Sequence, residues 1–500
     1  MNAGKICVSI CGETAHEVLG RIERAGQLAD VIEIRFDCLR PEETSRLLGH
    51  LKILGKEILA TLRPLEQGGK RQLTMQERVE FWQSTLPRLD GVNFAFDREF
   101  DLALPFEVDP NRTIVSSHNF DGREWKLPVD LAPANTLKLA ITVEDAVDAI
   151  PMWQLLSGGT GRGVIPIAMG EAGKWTRILG LAYGAPMTYA SLDRGDETAP
   201  GQISARDLRD IFRVKELNKQ TDVFGIIAGN TSYSMSPYMH NAAFKHAGMN
   251  SVFIPIQIRD LDAFIQRMVT PGTREVELNF KGFSVTNPHK QAIMKHLDSV
   301  DETAQNIGAV NTVKIEDGKL RGFNTDAAGF IAPLKNIFGD LADARVTVAG
   351  IGGAARACVY ALKQEGAEVT VLARDSTRAA AFTEEFAVKS ATLATGHRLP
   401  STDILVNATP IGTIGGSEGE AVTTADELSG TKLVYDLVYN PEETELLRRA
   451  KIAGVKTLGG MEMLVAQGAQ QFLIWTGGSN APIDKMKAAL NRRLKETYAG

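Results

Sequence analysis

Polar residues stand at the ends of the strand-like runs in the first part of this 500-residue chain. Lys138 lies inside the otherwise apolar run TLKLAIT, and His118 ends an earlier run, RTIVSSH. A lysine that is shielded from water can attack a carbonyl carbon and form a Schiff base, and a histidine beside it can carry the protons. The alternative is a structural lysine whose ammonium group reaches the surface. Together the two residues favour Schiff-base chemistry.

The other strand-end residues favour a small substrate that carries a carboxylate and hydroxyls. Three arginines can hold such groups through charge-assisted hydrogen bonds. The complete strand-end set consists of Ser9, Glu33, Arg35, Arg63, His118, Lys138, Arg177 and Gln202.

The elements that position these residues are eight short β-rich runs. They are KICVSI, VIEIRFD, EILATLR, GVNFAFD, RTIVSSH, TLKLAIT, GVIPIAM and MTYASL. Helix-patterned segments such as TMQERVEFWQSTLPRL separate them, and the runs are apolar in both registers, as strands buried on both faces should be. Eightfold strand–helix alternation predicts a (β/α)8 TIM barrel over residues 1–215, with catalytic groups at the carboxyl ends of its strands.

Six ordered motifs in this half resemble type I 3-dehydroquinate dehydratase. They are EIRFD, TLRPLEQGG, SSHNF, LKLA, MGEAGKWTR and TAPGQIS. The resemblance implies that Lys138 forms an imine with the substrate ketone, and that His118 removes the adjacent proton and then assists loss of water. The substrate contacts that it implies are Glu33, Arg35, Arg63, Arg177, Thr198 and Gln202.

Two positions depart from that family. Its usual glutamate, four residues after the arginine that matches Arg63, is Gln67, with Glu66 one place earlier. The aspartate that usually follows the histidine is Asn119. Both changes remove acidic support from a protonated His118, so we expect an altered histidine pKa and dehydration rate.

A second α/β pattern begins after the polar segment RVKELNKQTD, which we interpret as a helix end and linker. Lys290 follows the strand that ends at Thr286, and Asp326 follows the cluster that holds Asn311 and Thr325. A lysine and an aspartate at the mouths of neighbouring strands indicate an acid/base pair for an alcohol or ketone. Two serines, Ser234 and Ser236, flank the start of a helix that is entered through Pro237; they can bind a polar ligand or simply cap the helix.

The stretch VTVAGIGGAARACVYALKQEGAEVTVLARDSTRA reads as a βαβ unit that binds a nucleotide. Gly350 and Gly352 permit a tight turn whose N–H groups reach a pyrophosphate, and Ala355 occupies the third small position. Arg374 and Arg378 follow the second strand, where they suit the 2′-phosphate of NADP. Asp375 is the contrary signal, because an acceptor for a 2′-hydroxyl would favour NAD.

Residues 222–485 resemble shikimate dehydrogenase. The motifs that carry this resemblance are SYSMSP, SVTNPHK, GAVNT, NTDAAG, GIGGAAR, RDSTR, NATPIG, YDLVYNPEET and GGMEMLVAQGAQQF. The resemblance implies Lys290 and Asp326 as the catalytic pair. The substrate contacts that it implies are Ser234, Ser236, Thr286, Asn311, Tyr439 and Gln467. The cofactor contacts that it implies are Gly350, Gly352, Gly353, Ala354, Arg374, Arg378, Thr409, Leu437 and Gly460. The family's usual asparagine is Ala373 here, which should weaken one polar contact without changing the cofactor.

Bulk properties fit a cytoplasmic enzyme with small-molecule substrates. The net charge of −6 gives no reason to expect nucleic acid or an anionic membrane as a partner, and no apolar run is long enough for a membrane span. The first strand-like run starts at Lys5, which leaves no room for a targeting peptide. Four cysteines do not indicate a disulfide framework, so Cys7 and Cys11 are expected to be reduced, buried side chains, and no metal site is expected.

The sequence therefore predicts a barrel followed by a two-lobed α/β unit with a Rossmann-like lobe. The proposed limits are 1–215 for the barrel, 222–335 completed by 462–495 for the substrate lobe, and 336–461 for the NADP lobe. The two halves would catalyse consecutive steps, from dehydroquinate to dehydroshikimate to shikimate. Two alternatives stay open: an NAD-dependent quinate/shikimate dehydrogenase that works oxidatively, and a non-catalytic ligand-sensing homologue.

Overall fold

The computed structural model describes residues 2–52, 55–121, 135–158, 162–392 and 399–498. The chain divides into two compact units. Unit 1 comprises Met1–Val223 and Asn250–Asn279, and unit 2 comprises Phe224–Met249 and Phe280–Gly500.

The elements of the first 223 residues alternate between strands and helices. The strands are β1 (Lys5–Ile10), β2 (Val31–Arg35), β3 (Glu57–Thr61), β4 (Phe94–Glu99), β5 (Thr113–Asn119), β6 (Thr136–Thr142), β7 (Gly163–Met169), β8 (Met187–Ser191) and β9 (Ile203–Ser204). The helices are α1 (Ala15–Ala25), α2 (Thr44–Leu51), α3 (Met75–Thr85), α4 (Ile150–Ser157), α5 (Lys174–Leu179) and α6 (Ala205–Asp210). Every one of the eight predicted runs contains a strand. Helices α1 and α3 each begin with a capping box, in which Thr14 pairs with Glu17 and Thr74 with Glu77.

The sheet of unit 1 has the strand order of a barrel. It runs β7-β6-β5-β4-β3-β2-β1-β8-β9, and its ladders are parallel. Because β8 pairs with β1, the order is that of a (β/α)8 barrel, although no ladder joins β7 to β8 among the described residues. The carboxyl ends of the strands meet on one side, which brings the strand-end residues together.

One connection of the barrel carries no α-helix. Residues 100–112 between β4 and β5 are all described, and they contain a single 3-10 turn, Pro110–Arg112.

The remaining strands are β10 (Asp222–Ala228), β11 (Ser251–Gln257), β12 (Phe280–Val285), β13 (Ser299–Val300), β14 (Thr312–Glu316), β15 (Lys319–Phe323), β16 (Arg345–Ala349), β17 (Glu368–Ala373), β18 (Lys389–Thr392), β19 (Ile404–Asn407), β20 (Leu433–Asp436) and β21 (Lys456–Leu458). The remaining helices are α7 (Ser236–His246), α8 (Leu261–Phe264), α9 (Glu302–Ile307), α10 (Asp326–Phe338), α11 (Gly353–Gln364), α12 (Ser376–Phe386), α13 (Glu445–Ile452), α14 (Gly460–Thr476) and α15 (Ile483–Tyr498).

Unit 2 contains strands of two sheets. One has the order β10-β12-β14-β15-β13 and mixes parallel and antiparallel ladders. The other has the order β18-β17-β16-β19-β20-β21 and is parallel throughout. In the parallel sheet the order reverses at β16, which is where a doubly wound fold binds its ligand, outside the carboxyl ends of the strands.

The cysteines depart from the sequence expectation. Cys11 and Cys38 form a disulfide with a Cα–Cα distance of 5.4 Å, so the prediction that Cys11 is a reduced, buried side chain is wrong. Cys11 follows β1 and Cys38 follows β2, and adjacent parallel strands bring the two loops to the same edge. Cys7 is buried and free, as predicted, and so is Cys358.

No helix in the described ranges is long and apolar enough to cross a membrane.

Candidate active sites

The strand-end residues of unit 1 share one cavity of about 260 Å³. Every site residue that the sequence predicted for this half lines it: Ser9, Glu33, Arg35, Arg63, His118, Lys138, Arg177, Thr198 and Gln202. The barrel geometry explains this convergence, because each residue either points into the barrel from within a strand, as Lys138 does, or lies in the segment that follows a strand, as Arg177 does in α5.

Lys138 is held inside the barrel by charge and by an aromatic ring. Its Nζ donates to Asp97 Oδ2 at 3.1 Å, lies 3.7 Å from Glu33 Oε1 and sits 3.9 Å from the centroid of the Tyr189 ring. The side chain is only 8% exposed, so it does not reach the surface as a structural lysine would. The amine therefore faces the cavity, where a carbonyl carbon can approach it.

Arg63 connects Asp97 to His118. Its Nη2 donates to Asp97 Oδ2 at 2.6 Å, and its Nη1 lies 2.8 Å from His118 Nδ1. Burial of Asp97 opposes its charge, but Arg63 and Lys138 outweigh this effect and hold the carboxyl pKa well below its usual range. Burial, followed by the charges of Arg63 and Lys138, lowers the pKa of His118 well below its usual value. His118 is thus neutral near pH 7.

The contact with Arg63 also selects the tautomer of His118. A guanidinium can only donate, so Nδ1 accepts and the proton of the neutral ring resides on Nε2. The ring has to gain a proton before it can protonate a leaving hydroxyl, because the N–H of a neutral imidazole is a very weak acid. Proton abstraction by Nε2 requires that the hydrogen bond to Arg63 be exchanged.

Arg177 is the arginine best placed for a substrate carboxylate. Arg35 makes a two-point ion pair with Asp37, with both distances 2.8 Å, and Arg63 is paired with Asp97. Arg177 is 1% exposed, and the only hydrogen bonds that its guanidinium donates within the described ranges are 3.4 Å contacts to the carbonyl oxygens of Tyr189 and Pro200. Burial lowers its pKa to about 10, so it remains cationic at neutral pH and can accept a carboxylate as a partner.

The two departures from the family pattern lie close to His118. Gln67 lines the cavity, and its Oε1 is buried with no hydrogen-bond partner among the described residues. Phe120 stacks on the His118 ring with centroids 6.2 Å apart. Asn119 Oδ1 accepts from the backbone N–H of Asp121, so this side chain serves the local turn.

Two residues of this site escaped the sequence analysis. Asp97 ends the run GVNFAFD, so its strand-end position was a usable signal. Tyr189 lies in the apolar run MTYASL, and nothing in that pattern distinguishes a ring that packs against an amine from a core ring.

Unit 2 has a separate cavity of about 160 Å³. The predicted site residues that line it are Ser234, Ser236, Thr286, Lys290, Asn311, Asp326, Ala354, Leu437, Tyr439, Gly460 and Gln467. The predicted residues outside this lining are Gly350, Gly352, Gly353, Arg374, Arg378 and Thr409.

Lys290 and Asp326 form the ion pair of this cavity. Lys290 Nζ lies 2.5 Å from Asp326 Oδ2, and Asn311 Nδ2 donates to Asp326 Oδ1 at 2.8 Å. Asp326 is the first residue of α10, where the positive end of the helix dipole favours its negative charge. The carboxylate is therefore held in one orientation, and it fixes the ammonium group at the cavity.

Hydroxyl and amide side chains surround this pair. Burial raises the pKa of Tyr439 to about 12, so its hydroxyl stays protonated and can donate to a ligand. Ser234 Oγ accepts from the backbone N–H of Ser236, the first residue of α7, at 3.3 Å, so this serine lines the cavity and also supports the start of the helix. The sequence analysis did not single out Gln471. Its Nε2 donates to the backbone carbonyl oxygen of Asn311 at 3.2 Å and so helps to position Asn311. Gln471 lies four residues after Gln467 on α14, so the two side chains share one face of the helix, and this spacing could have identified Gln471 from the sequence.

The glycine-rich turn has the geometry of a pyrophosphate cradle. Gly350 follows β16 with φ = +111°, a conformation that favours glycine. A Cβ at Gly352 would meet no atom within 4 Å, so space is open beside the N-terminus of α11. At Gly460, a Cβ would lie 2.2 Å from the carbonyl oxygen of Leu437, so α14 can approach β20 only with glycine there.

The cofactor residues outside the cavity lie at the carboxyl edge of the parallel sheet. Gly350 follows β16, Arg374 follows β17 and Thr409 follows β19. Gly353 adjoins Lys290, since a Cβ there would lie 2.9 Å from the lysine Cδ. The predicted cofactor residues thus lie along the carboxyl edge of the sheet, between the exposed Arg374 and Arg378 and the Lys290–Asp326 pair.

Asp375 has a structural task. Its side chain caps α12 by accepting from the backbone N–H of Arg378 at 3.0 Å. Arg374 and Arg378 are exposed, and their side chains make no hydrogen bond or ion pair with another described residue. The local chemistry therefore suits a phosphate. No cluster of three metal-ligating side chains occurs within the described part of the chain.

These observations define a class of enzyme: a barrel with an enclosed amine, joined to a nucleotide-dependent α/β unit with a lysine–aspartate pair. The sequence matches the type I 3-dehydroquinase family over residues 6–219. It matches the shikimate dehydrogenase substrate-binding domain over 226–313, the shikimate/quinate 5-dehydrogenase family over 333–438 and the shikimate 5'-dehydrogenase C-terminal domain over 460–490.

Relatives agree with both matches. The bifunctional 3-dehydroquinate dehydratase/shikimate dehydrogenase, chloroplastic, of Arabidopsis thaliana is 32% identical over 514 residues, covering 95% of this chain and 82% of the relative. The shikimate dehydrogenase (NADP(+)) of Methanocaldococcus jannaschii is 40% identical over 287 residues, covering 54% of this chain and 99% of the relative. A solved shikimate dehydrogenase in complex with NADP+ has a TM-score of 0.51 and 39% identity, covering 56% of this chain and 97% of that one.

The chain belongs to the bifunctional 3-dehydroquinate dehydratase/shikimate dehydrogenase family of the shikimate pathway. The resemblances drawn from the sequence motifs and the predicted fold class are confirmed.

Proposed function

We propose that this chain dehydrates 3-dehydroquinate to 3-dehydroshikimate in unit 1 and reduces that product to shikimate with NADPH in unit 2. The observation that carries the proposal is the presence of two complete catalytic pairs in two separate cavities: Lys138 with His118, and Lys290 with Asp326. Because both pairs are intact, a non-catalytic sensor is disfavoured.

In the dehydratase, Lys138 Nζ attacks the substrate ketone and releases water to form an imine. The imine acidifies the adjacent C–H bond, and His118 takes that proton once the hydrogen bond between its Nδ1 and Arg63 has been exchanged. The protonated ring then donates a proton to the departing hydroxyl, and water hydrolyses the product imine and frees Lys138. Arg177 holds the substrate carboxylate, because the carboxylates of Asp37 and Asp97 already occupy the other two arginines. Glu33, Thr198 and Gln202 contact the substrate hydroxyls.

In the reductase, the cofactor supplies a hydride when it is bound. The chain's own groups bind the dehydroshikimate: Ser234, Ser236, Thr286 and Gln467 hold its carboxylate and hydroxyls, and Tyr439 donates to it. Lys290 donates a proton to the carbonyl oxygen as that oxygen becomes an alcohol, and Asp326 keeps the ammonium group in place.

The residues present fit NADP. The turn from Gly350 to Ala354 would hold the pyrophosphate, and Arg374 and Arg378 would hold the 2′-phosphate. Thr409, Leu437 and Gly460 complete the contacts at the sheet edge. Asp375 accepts from a backbone N–H in its own helix, which removes the main support for an NAD-dependent oxidative enzyme.

We also propose the domain limits 1–215, 222–335 with 462–495, and 336–461, and a cytoplasmic location for the chain. The Arabidopsis relative is named as chloroplastic, and fluorescence microscopy of a tagged chain, which should show a diffuse cytoplasmic signal, tests the location.

The experiment treats the purified chain with borohydride and dehydroquinate and locates the adduct by peptide mass spectrometry. We expect an adduct on Lys138 of the wild-type chain and no adduct in Lys138→Ala. The Lys138→Ala variant should still reduce dehydroshikimate, and this reduction should be faster with NADPH than with NADH. An adduct elsewhere, full reductase rate in Lys290→Ala, or a preference for NADH would each contradict the corresponding assignment.

A further inference from the structure

Glu99 is a buried carboxyl group next to Arg63 that the proposed dehydratase reaction does not use. It ends β4, two residues after Asp97, so both side chains point to the interior of the barrel. The Glu99 side chain is fully buried, and its Oε1 has no hydrogen-bond partner among the described residues. Because a buried carboxyl oxygen without a donor is costly, its place beside the active site calls for an explanation.

An ion pair with Arg78 of α3 accounts for only one oxygen of Glu99. Arg78 Nη2 donates to Glu99 Oε2 at 3.1 Å. The same guanidinium also makes a two-point pair with Asp101, with distances of 3.1 and 3.0 Å, so Arg78 has a carboxylate partner without Glu99. A structural role as the partner of Arg78 therefore leaves Oε1 of Glu99 unexplained.

This oxygen faces the arginine that is hydrogen-bonded to His118. Arg63 Nη1 lies 3.7 Å from Glu99 Oε1 and 2.8 Å from His118 Nδ1, while Nη2 is held by Asp97. When the hydrogen bond to His118 is exchanged, Nη1 needs another acceptor, because a buried guanidinium N–H left unpaired is costly. Ser116 Oγ lies at 3.4 Å, but a carboxylate is the stronger acceptor for a guanidinium.

We propose that Glu99 is a positioning residue of the dehydratase, which accepts a hydrogen bond from Arg63 Nη1 and thereby frees Nδ1 of His118. This role rests on the dehydratase reaction proposed for unit 1. The ionised carboxylate attracts the guanidinium away from the histidine, so the ring can act as a base. A neutral carboxylic acid leaves the guanidinium on His118. Glu99 itself exchanges no proton with the substrate.

The charge of Glu99 changes near neutral pH. Burial raises the pKa of Glu99 to about 7; the charges of Arg63 and Arg78 oppose this shift, and the charge of Asp97 adds to it. The residue of β5 that pairs with Glu99 is Ser116, which carries no charge. Because Glu99 is ionised above its pKa, the dehydratase rate should rise as the pH increases through about 7.

The pH profile of kcat/KM for dehydroquinate, measured with the full-length chain from about pH 5 to about pH 9, tests this role. The wild-type chain should show a rise of about tenfold centred near pH 7, apart from the acidic limb that His118 sets at lower pH. Glu99→Gln has the shape of the protonated acid and should lack this rise. Its rate should be about tenfold below that of the wild type at about pH 8.5 and within about twofold at about pH 5.5.

Glu57→Gln is the matched control. It makes the same substitution on the neighbouring strand β3, at the amino end, where Glu57 pairs with Lys5, and it should leave the profile unchanged. The loss in Glu99→Gln should appear in kcat, because Glu99 does not contact the substrate. Thermal unfolding shows whether each variant is folded.

Three results would overturn the role of Glu99. They are a wild-type profile without a rise between about pH 6 and about pH 8, a wild-type profile in Glu99→Gln, and a rate in Glu99→Gln that is lowered by the same factor at every pH. The last result would show a structural role, and the first does not depend on any variant. A wild-type chain that does not dehydrate dehydroquinate would instead contradict the proposed function.

Discussion

At the scale of residues, the dehydratase site depends on charged side chains that have hydrogen-bond partners in common. Asp97 accepts from both Lys138 and Arg63, and Arg63 donates in turn to His118. The carboxylate lets an amine and a guanidinium coexist in one buried site, while the histidine bears two positive neighbours and an uncharged Gln67. The family glutamate that Gln67 replaces would put a negative charge in the same cavity as His118 and favour the protonated ring.

Gln67→Glu should therefore raise the dehydratase rate. A carboxylate beside His118 raises its pKa, so the acidic limb of the kcat/KM profile should move to higher pH while the rate near pH 7 rises several-fold. Glu66→Gln, at the exposed neighbouring position, is the control and should leave the profile unchanged. A lower rate in Gln67→Glu with an unmoved acidic limb would contradict this account of His118.

Arg177→Met should impair substrate binding in the dehydratase. A substrate carboxylate that loses its buried partner costs about 2 kcal/mol or more, so kcat/KM should fall about 30-fold or more, mainly through KM. Steady-state kinetics with dehydroquinate measure this change. Arg40→Met, at an exposed arginine paired with Glu13, is the control. A wild-type KM in Arg177→Met would place the carboxylate elsewhere.

At the scale of elements, the eight strand runs and the βαβ turn were predictable because their apolar pattern and their glycines are local. The convergence of the strand-end residues followed from barrel geometry alone. Asp97 was missed although its position gave the signal, and the helix-free connection after β4 was not foreseen. The Cys11–Cys38 pairing depends on two loops meeting across neighbouring strands, which the spacing of cysteines cannot show.

Reduction of the Cys11–Cys38 disulfide should destabilise unit 1. The cysteines are 27 residues apart, and closing a loop of this size stabilises a fold by about 3 to 4 kcal/mol in the chain-entropy estimate. Dithiothreitol, or Ser at both positions, should lower the urea concentration at which dehydratase activity is lost. The urea concentration at which half of the reductase activity is lost should not change. Cys358→Ala serves as the control, and an unchanged dehydratase midpoint would mean that the disulfide adds no stability.

Asp375 should matter for stability and not for cofactor choice. Asp375→Ala removes the cap of α12 and should cost about 1 kcal/mol in the unfolding of unit 2, whereas Asp375→Ser keeps a capping oxygen and should cost less. Both variants should still prefer NADPH. A wild-type preference for NADH that Asp375→Ser reverses would show that this carboxylate holds the ribose.

At the scale of the whole molecule, the product of one cavity is the substrate of the other. Each unit carries its own catalytic pair, so the two reactions should be separable by mutation. Lys138→Ala should lose dehydration and keep reduction, and Lys290→Ala should do the reverse.

The most direct test follows dehydroquinate and NADPH with the purified wild-type chain, with each variant alone and with an equal mixture of the two variants. The account predicts that the wild-type chain and the mixture form shikimate and oxidise an equal amount of NADPH. Lys138→Ala alone should form no shikimate and oxidise no NADPH. From Lys290→Ala alone it predicts dehydroshikimate that accumulates without NADPH oxidation. Shikimate formation by either single variant at the wild-type rate would contradict the assignment of two reactions to these two lysines.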